Sequence, residues 1–199
     1  MEQLGSFYGG LSGKTKDDFG NGNAKYISYM NVFDNIAIDT TKHDMVKVGI
    51  TEKQNKVEVG DIVFTGSSET LDECGMSSVL TRESDEPLYL NSFCFGFRLN
   101  DPTLLLPGFS KYLFRSDGLR QQIVQTASGV TRYNISKKKM AKIIVPIPPI
   151  HEQRRIVSIL DKFDNLTNSL QQGLPAEISA RQAQYQYYRD QLLTFKEAT

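Results

Sequence analysis

The sequence predicts an α+β protein in two parts: a mixed, strand-rich domain over residues 1–149 and a long helical, coiled-coil extension over residues 150–199. Three observations predict it. Residues 24–99 hold short β-rich runs broken by turn residues. The hydrophobic period becomes helical from residue 102. Beyond a cluster of prolines, apolar residues recur at spacings of three and four. A chain of 199 residues is long enough for one domain with its own core plus such an extension.

In the first part, "AKYISYMNVF" alternates and reads as a strand, with a turn at Asp34-Asn35. "DMVKV" and "VEVGDIVFT" continue the pattern, and "PLYLNSFCFGFRL" reads as one core strand, bent or bulged at Gly96. Pro107 suits the first position of a helix through "GFSKYLFRS". A second short helix starts after Ser116-Asp117 and stops at Gly129, read as a left-handed cap. Ser136 caps a helical turn over "KKKMAK", and "KIIVPIPPI" is a terminal strand that Pro146, Pro148 and Pro149 stop.

In the second part, Ile156, Ile159, Phe163, Leu166 and Leu170 form a heptad seam. Their helix, over residues 150–172, would be about 34 Å long. Gly173-Leu174-Pro175 interrupts it, because Pro lacks an amide donor and clashes with the preceding turn. The stripe resumes as Ile178, Arg181, Tyr185, Tyr188, Leu192 and Phe195, with a stutter across the break. So narrow a stripe needs another helix against it. A helix from a second chain is the favoured partner, and a hairpin within the chain is the alternative. Tyr185, Tyr187 and Tyr188 are anchors of the kind interfaces favour, although Tyr185 and Tyr188 can be consumed by the seam itself, leaving only Tyr187 outward.

The formal net charge is zero, but it is unevenly spread. Residues 1–110 hold nine Lys/Arg against sixteen Asp/Glu, whereas residues 111–155 hold ten basic residues against Asp117 and Glu152. Such asymmetry points to a polyanionic partner, with a solvated basic face as the plain alternative. A charged fraction of 23% and a hydrophobic fraction of 39% argue against disorder. No run is long and apolar enough for a membrane span, and no leader pattern stands at the start. Cys74 and Cys94 have neither metal-ligand spacing nor disulfide-scaffold density, so free thiols in a reducing cytoplasm are expected.

Several catalytic patterns fail on inspection. "GGLSGKT" lacks a phosphate-loop Gly at position 8, which is Tyr8. His151-Glu152 would need a second His at position 155 to make a zinc-protease helix, and Arg155 stands there. "IPPI" lacks the polar and aromatic flanks of an amino-methyltransferase site. No nuclease-like carboxylate cluster, glycine-rich cofactor loop or nucleophile–base pair reads out, so a binding protein is expected rather than an enzyme.

"IIVPIPPIHEQRRIVSILDKFDNL" with "GLPAEISARQAQYQYYRDQLLTF" resembles the helical region of specificity subunits of type I restriction-modification systems. "FYGGLSGKTKDDFG", "KYISYMNVF", "GDIVFTGSSET", "LYLNSFCFGFR" and "SGVTRYNIS" look like one target recognition domain of that family, so the resemblance spans essentially the whole chain. It implies a non-catalytic reader of double-stranded DNA whose helices dock methylation subunits, with restriction subunits outside them. S-adenosylmethionine, ATP and Mg²⁺ would belong to those partners. The chain holds one recognition domain and one helical region, about half the family's usual content. Two copies pairing through the helices would read an inverted, gapped repeat. With charge clustering, the resemblance assigns Lys137, Lys138 and Lys139 to phosphates and places Arg132 and Tyr133 nearer the bases. Lys14, Thr15 and Lys16, on a loop with Gly9, Gly10 and Gly13, would face the DNA backbone. Ser67, Ser68, Glu69 and Thr70 form a second candidate loop, whose carboxylate can accept from cytosine N4. A protein–protein adaptor without DNA reading is the rival expectation.

Overall fold

The computed structural model describes residues 1–169 and 175–195. Strand β5 (Ile62–Thr65) is buried along its whole length, which places it at the centre of a sheet ordered β1–β9–β5–β7. Its neighbours are β9 (Cys94–Leu99) and β7 (Ser77–Val79), and β1 (Gly5–Gly9) pairs on the far side of β9, all antiparallel. Side chains alternate across the pleat, so each face of β5 serves a different core. Ile62 and Phe64 join a cluster with Phe95, Phe97 and the helices, while Val63 joins Ile27, Leu88 and Leu90 of a second sheet. That second sheet runs β3 (Asp44–Val46), β2 (Phe19–Ile27), β8 (Leu88–Leu90), β4 (Lys56–Val57), with β2 and β8 parallel. A third, small sheet joins β10 (Ala127–Ser128), β11 (Tyr133–Ile135) and β6 (Ser67–Ser68).

The strand-rich head with helices on it is the α+β arrangement that the sequence predicts, with local differences. "AKYISYMNVF" is a strand only to Ile27. Ser28 then caps helix α1 (Tyr29–Asp34) by accepting from the Asn31 amide at 3.3 Å. The buried Asn31 side chain donates to the carbonyls of Asp39 and Lys42, which anchors the turn that follows. The expected single strand over "PLYLNSFCFGFRL" is two strands in different sheets. Asn91 breaks it: its side chain accepts from the Phe93 amide at 2.8 Å, and its carbonyl accepts from Cys94. Gly96 is not a bulge but a close approach, because a Cβ there would stand 2.0 Å from Tyr8 Cζ.

Helix α2 (Pro107–Leu113) starts on Pro107, as expected. Helix α3 (Asp117–Val124) stops before Gly129, which instead closes the β10–β11 hairpin at φ +143°, where a Cβ would meet the Arg132 carbonyl. Ser136 caps α4 (Lys137–Met140) through the Lys139 amide. "KIIVPIPPI" pairs with no strand. Ile143 and Val145 are buried and Ile144 exposed, an alternating extended segment whose backbone at Ile144 is met by the Gln122 side chain rather than a ladder.

Helix α5 (Ile150–Ser169) begins on the last proline, and α6 (Pro175–Leu193) returns along it. Here the favoured expectation changes. The near end of the seam is spent inside the head: Ile156 and Leu160 are fully buried with Phe109 and Leu193, and Tyr185, Leu192 and Phe195 pack on the same cluster. Further along, Phe163 stacks on Tyr188 at 5.3 Å between centroids. A hairpin within the chain therefore takes most of the described stripe, while Ile159 is half-buried and Leu166 remains 48% exposed. Leu170, Gly173-Leu174 and the side chain of Ile178 lie outside the described residues.

Candidate nucleic-acid interface

Two stretches more than sixty residues apart, each a candidate on sequence grounds, meet in the small sheet. Ser68 lies opposite Tyr133 and Ser67 opposite Asn134, with β10 completing the ladder. Gly66 makes the junction possible. Its amide donates to the Phe93 carbonyl at 2.7 Å and its carbonyl accepts from the Ile135 amide at 2.9 Å, while a Cβ would stand 2.7 Å from the Phe93 oxygen. From below, the Tyr29 hydroxyl donates to the Ser67 carbonyl at 2.7 Å, so α1 buttresses the same strand.

On this frame Arg132 is exposed and aimed. Its Nε donates to Ser67 Oγ at 3.0 Å, and its guanidinium lies 5.8 Å from the Phe93 ring centroid. Neither terminal nitrogen of its fork makes a hydrogen bond among the described residues. Lys137, Lys138 and Lys139 follow on an exposed single-turn helix, with Lys137 Nζ 5.1 Å from the Phe95 centroid. Three like charges at the start of a helix, with no acid in its first turn, oppose both each other and the helix dipole. Among the described residues no carboxylate pairs with any of them or with Arg132. None of these four charges is neutralised by an ion pair among the described residues.

The rest of the basic segment behaves differently. Lys111 pairs with Asp161 at 2.8 Å and Arg155 with Glu152. Arg115 is largely buried and donates to the carbonyls of Ser77, Val32, Phe33 and Asn35; burial, and then the like charge of Arg120, pulls its guanidinium down to about 10. Arg120 donates to the carbonyls of Asp72, Cys74 and Gly75, closing the loop that follows β6. These two arginines hold the frame rather than a partner. Nothing in the sequence distinguishes them from Arg132, since only the fold decides which fork meets carbonyls.

Of the predicted site residues, Arg132, Lys137, Lys138 and Lys139 are exposed, Tyr133 is half-buried on β11, and Glu69 and Thr70 are exposed on the adjoining loop. Ser67 and Ser68 lie against Asn134 and Tyr133 but depart from expectation: only 6% and 9% exposed, they are not presented as free hydroxyls, and Ser67 Oγ instead accepts from Arg132. The opening loop departs from expectation at Lys14. Its side chain is 6% exposed, and its ammonium donates to the Lys47 carbonyl and to Glu52, both at 2.6 Å. A lysine so enclosed is not presented to a DNA backbone. Thr15 is used locally, exchanging hydrogen bonds with Asp18 to cap the turn Lys16–Asp18, and Lys16 is exposed. Phe93, 61% exposed beside Arg132, has no counterpart among the expected site residues. Read as mid-strand, it looks like core.

Among the described residues no group of His, Cys, Asp or Glu is disposed to hold a metal ion, and no helix is long and apolar enough to cross a membrane. Cys74 and Cys94 are both free and buried.

An edge of exposed arginine and lysines beside hydroxyls and an exposed ring has the composition of a nucleic-acid-binding module. The family model described as the type I restriction modification DNA specificity domain matches residues 4–180, and the chain belongs to that family. It is 32% identical over 201 residues to the type I restriction enzyme EcoR124I/EcoR124II specificity subunit of Escherichia coli, covering 98% of this chain and 47% of that protein. It is 40% identical over 65 residues to the type I restriction enzyme MpnII specificity subunit of Mycoplasma pneumoniae, covering 33% of this chain and 20% of that protein. The chain thus spans about half the length of the Escherichia coli relative. Among solved structures, the S subunit of a type I restriction-modification system from M. genitalium superposes with a TM-score of 0.53 at 20% identity, over 85% of this chain and 39% of that one. The HsdS subunit from Thermoanaerobacter tengcongensis gives 0.56 at 16% identity, over 96% and 43%. At these identities the likeness is one of fold.

Proposed function

We propose that this chain reads DNA sequence for a type I restriction-modification complex and performs no chemistry of its own. The observation that carries the reading is the junction of Ser67, Arg132 and the Lys137–Lys139 turn along one cationic edge, in a member of the DNA specificity family. The lysines neutralise phosphates and set register; base edges in the groove supply the sequence information. Arg132 is tethered by Nε and keeps its two terminal nitrogens for a guanine, whose O6 and N7 accept from such a fork. Ser68, Glu69, Thr70 and Tyr133 border that position.

In this proposal the chain acts in the cytoplasm, its helices dock methylation subunits, and restriction subunits join through the complex. S-adenosylmethionine, ATP and Mg²⁺ serve those partners. Two copies associate through the solvent-facing side of the α5–α6 hairpin, where Tyr187 is 62% exposed, and together read an inverted, gapped repeat in double-stranded DNA.

Fluorescence anisotropy of the full chain on mixed-sequence duplexes at low salt tests the reading. Lys138→Ala is expected to weaken binding to every duplex and to lower the salt slope by about one. Arg132→Ala is expected to relax preference at one base pair by about 1–3 kcal/mol. A chain that binds no duplex at low salt is an adaptor between proteins, and the DNA-reading role falls.

A further inference from the structure

We propose that Phe93 is a base-reading residue whose ring packs on the C5-methyl group of a thymine, beside the base pair addressed by Arg132. The inference rests on the DNA-reading role above and adds to it a second reading group of opposite chemistry.

Phe93 is a large apolar side chain left 61% exposed on a backbone that is hydrogen-bonded on both sides. Its amide donates to the Asn91 side chain at 2.8 Å, and its carbonyl accepts from Gly66 at 2.7 Å. Gly66 in turn accepts from Ile135 on β11, so backbone hydrogen bonds join the Phe93 turn to β11 through the residue that precedes β6. With both backbone groups tied, the Cα–Cβ bond of Phe93 keeps one direction, and the ring it carries is left largely in solvent, where burial against a partner is favourable.

The surroundings decide what covers it. Arg132 stands 5.8 Å from the ring centroid, and Lys137 lies over the neighbouring Phe95 at 5.1 Å. A protein partner with an apolar patch would have to bring carboxylates to this rim; a DNA duplex brings its charge by construction. Successive base pairs rise by about 3.4 Å, so a ring and a fork 5.8 Å apart address base pairs one or two steps apart. Within the major groove, the apolar group offered by a stacked, paired base is the thymine methyl, which phenylalanine contacts directly.

The experiment uses the full chain and a duplex selected from a random pool by the wild-type protein. Each thymine of that duplex is replaced in turn by deoxyuridine, which removes only the methyl group, and affinities of wild type and Phe93→Ala are measured by anisotropy. At one thymine, one or two steps from the guanine that Arg132→Ala makes indifferent, deoxyuridine is expected to weaken the wild type about three- to fourfold, the worth of one buried methyl. Phe93→Ala is expected to bind the parent duplex that much more weakly and to ignore the replacement. If Phe93→Ala keeps the full deoxyuridine effect, or weakens all duplexes equally, the thymine contact is wrong while DNA reading stands. If the wild type binds no duplex, the DNA-reading role fails and the contact with it.

Discussion

Arg132 and Arg120 belong to the same basic segment, yet one keeps two guanidinium nitrogens unbonded and the other spends its fork on the carbonyls of Asp72, Cys74 and Gly75. The difference predicts different responses to the same change. Arg120→Lys is expected to destabilise the protein by about 1–3 kcal/mol in urea unfolding, because one ammonium cannot serve three separated carbonyls. Arg132→Lys leaves stability unchanged and loses the two-pronged guanine preference. Lys14 supplies a third case. Hydrogen bonds from Lys14, then from the Gly49 amide and Gln54, hold the Glu52 carboxyl down to about 2, against an ordinary value of 4.5. A carboxyl depressed in the folded state stabilises the fold above its unfolded value, and that contribution is lost as the pH falls through the folded value. Stability therefore declines between pH 4.5 and about 2 through this group, and Lys14→Ala flattens that stretch of the acid-unfolding profile while leaving DNA affinity at neutral pH intact.

Among the elements, α5 shows how much one polar side chain can fix. Gln153 is fully buried; its oxygen accepts from the Leu106 amide at 2.9 Å and its nitrogen donates to the carbonyls of Leu104 and Pro148 at 2.8 and 2.9 Å. It ties the first turn of α5 to the start of α2. Gln153→Ala orphans those groups and is expected to cost about 1–3 kcal/mol for the amide alone, read as a lowered denaturant midpoint. The sequence shows Gln153 only as part of a proline-rich helix start; two of its three partners, Leu104 and Leu106, are nearly fifty residues away. The same limit explains the other differences. Pro107 and Ser136 act through their own neighbours and were legible. Ser28 also caps locally, but the alternation of "AKYISYMNVF" masked it, and the Asn91 turn was masked by the aromatic run around it. The basic segment was legible as charge, but not its division into buried clamps and a free edge. Long-range partners, not local propensity, made that division.

For the whole molecule, the question is what the hairpin leaves for other chains. Leu160→Ala removes a side chain enclosed by the head and is expected to cost about 2–5 kcal/mol of stability. Because Leu160 is internal, the folded variant should keep the association state of the wild type. Tyr187→Glu is the complementary change: the stability of the chain is retained, and sedimentation at micromolar concentration shifts toward monomer if two copies meet through the solvent-facing side of the hairpin. A wild type that sediments as a monomer rejects that pairing and leaves the reading head untouched.

The β10–β11 turn has one further consequence. Gly129 is bound to its place by a backbone angle that other residues resist, but Val130, 91% exposed, and its neighbours Thr131 and Arg132 carry little of the core. Replacements at such positions alter stability by no more than about 0.5 kcal/mol. New preferences can therefore accumulate at this tip by simple substitution, each tolerated as it arises, while the scaffold beneath goes on folding as before.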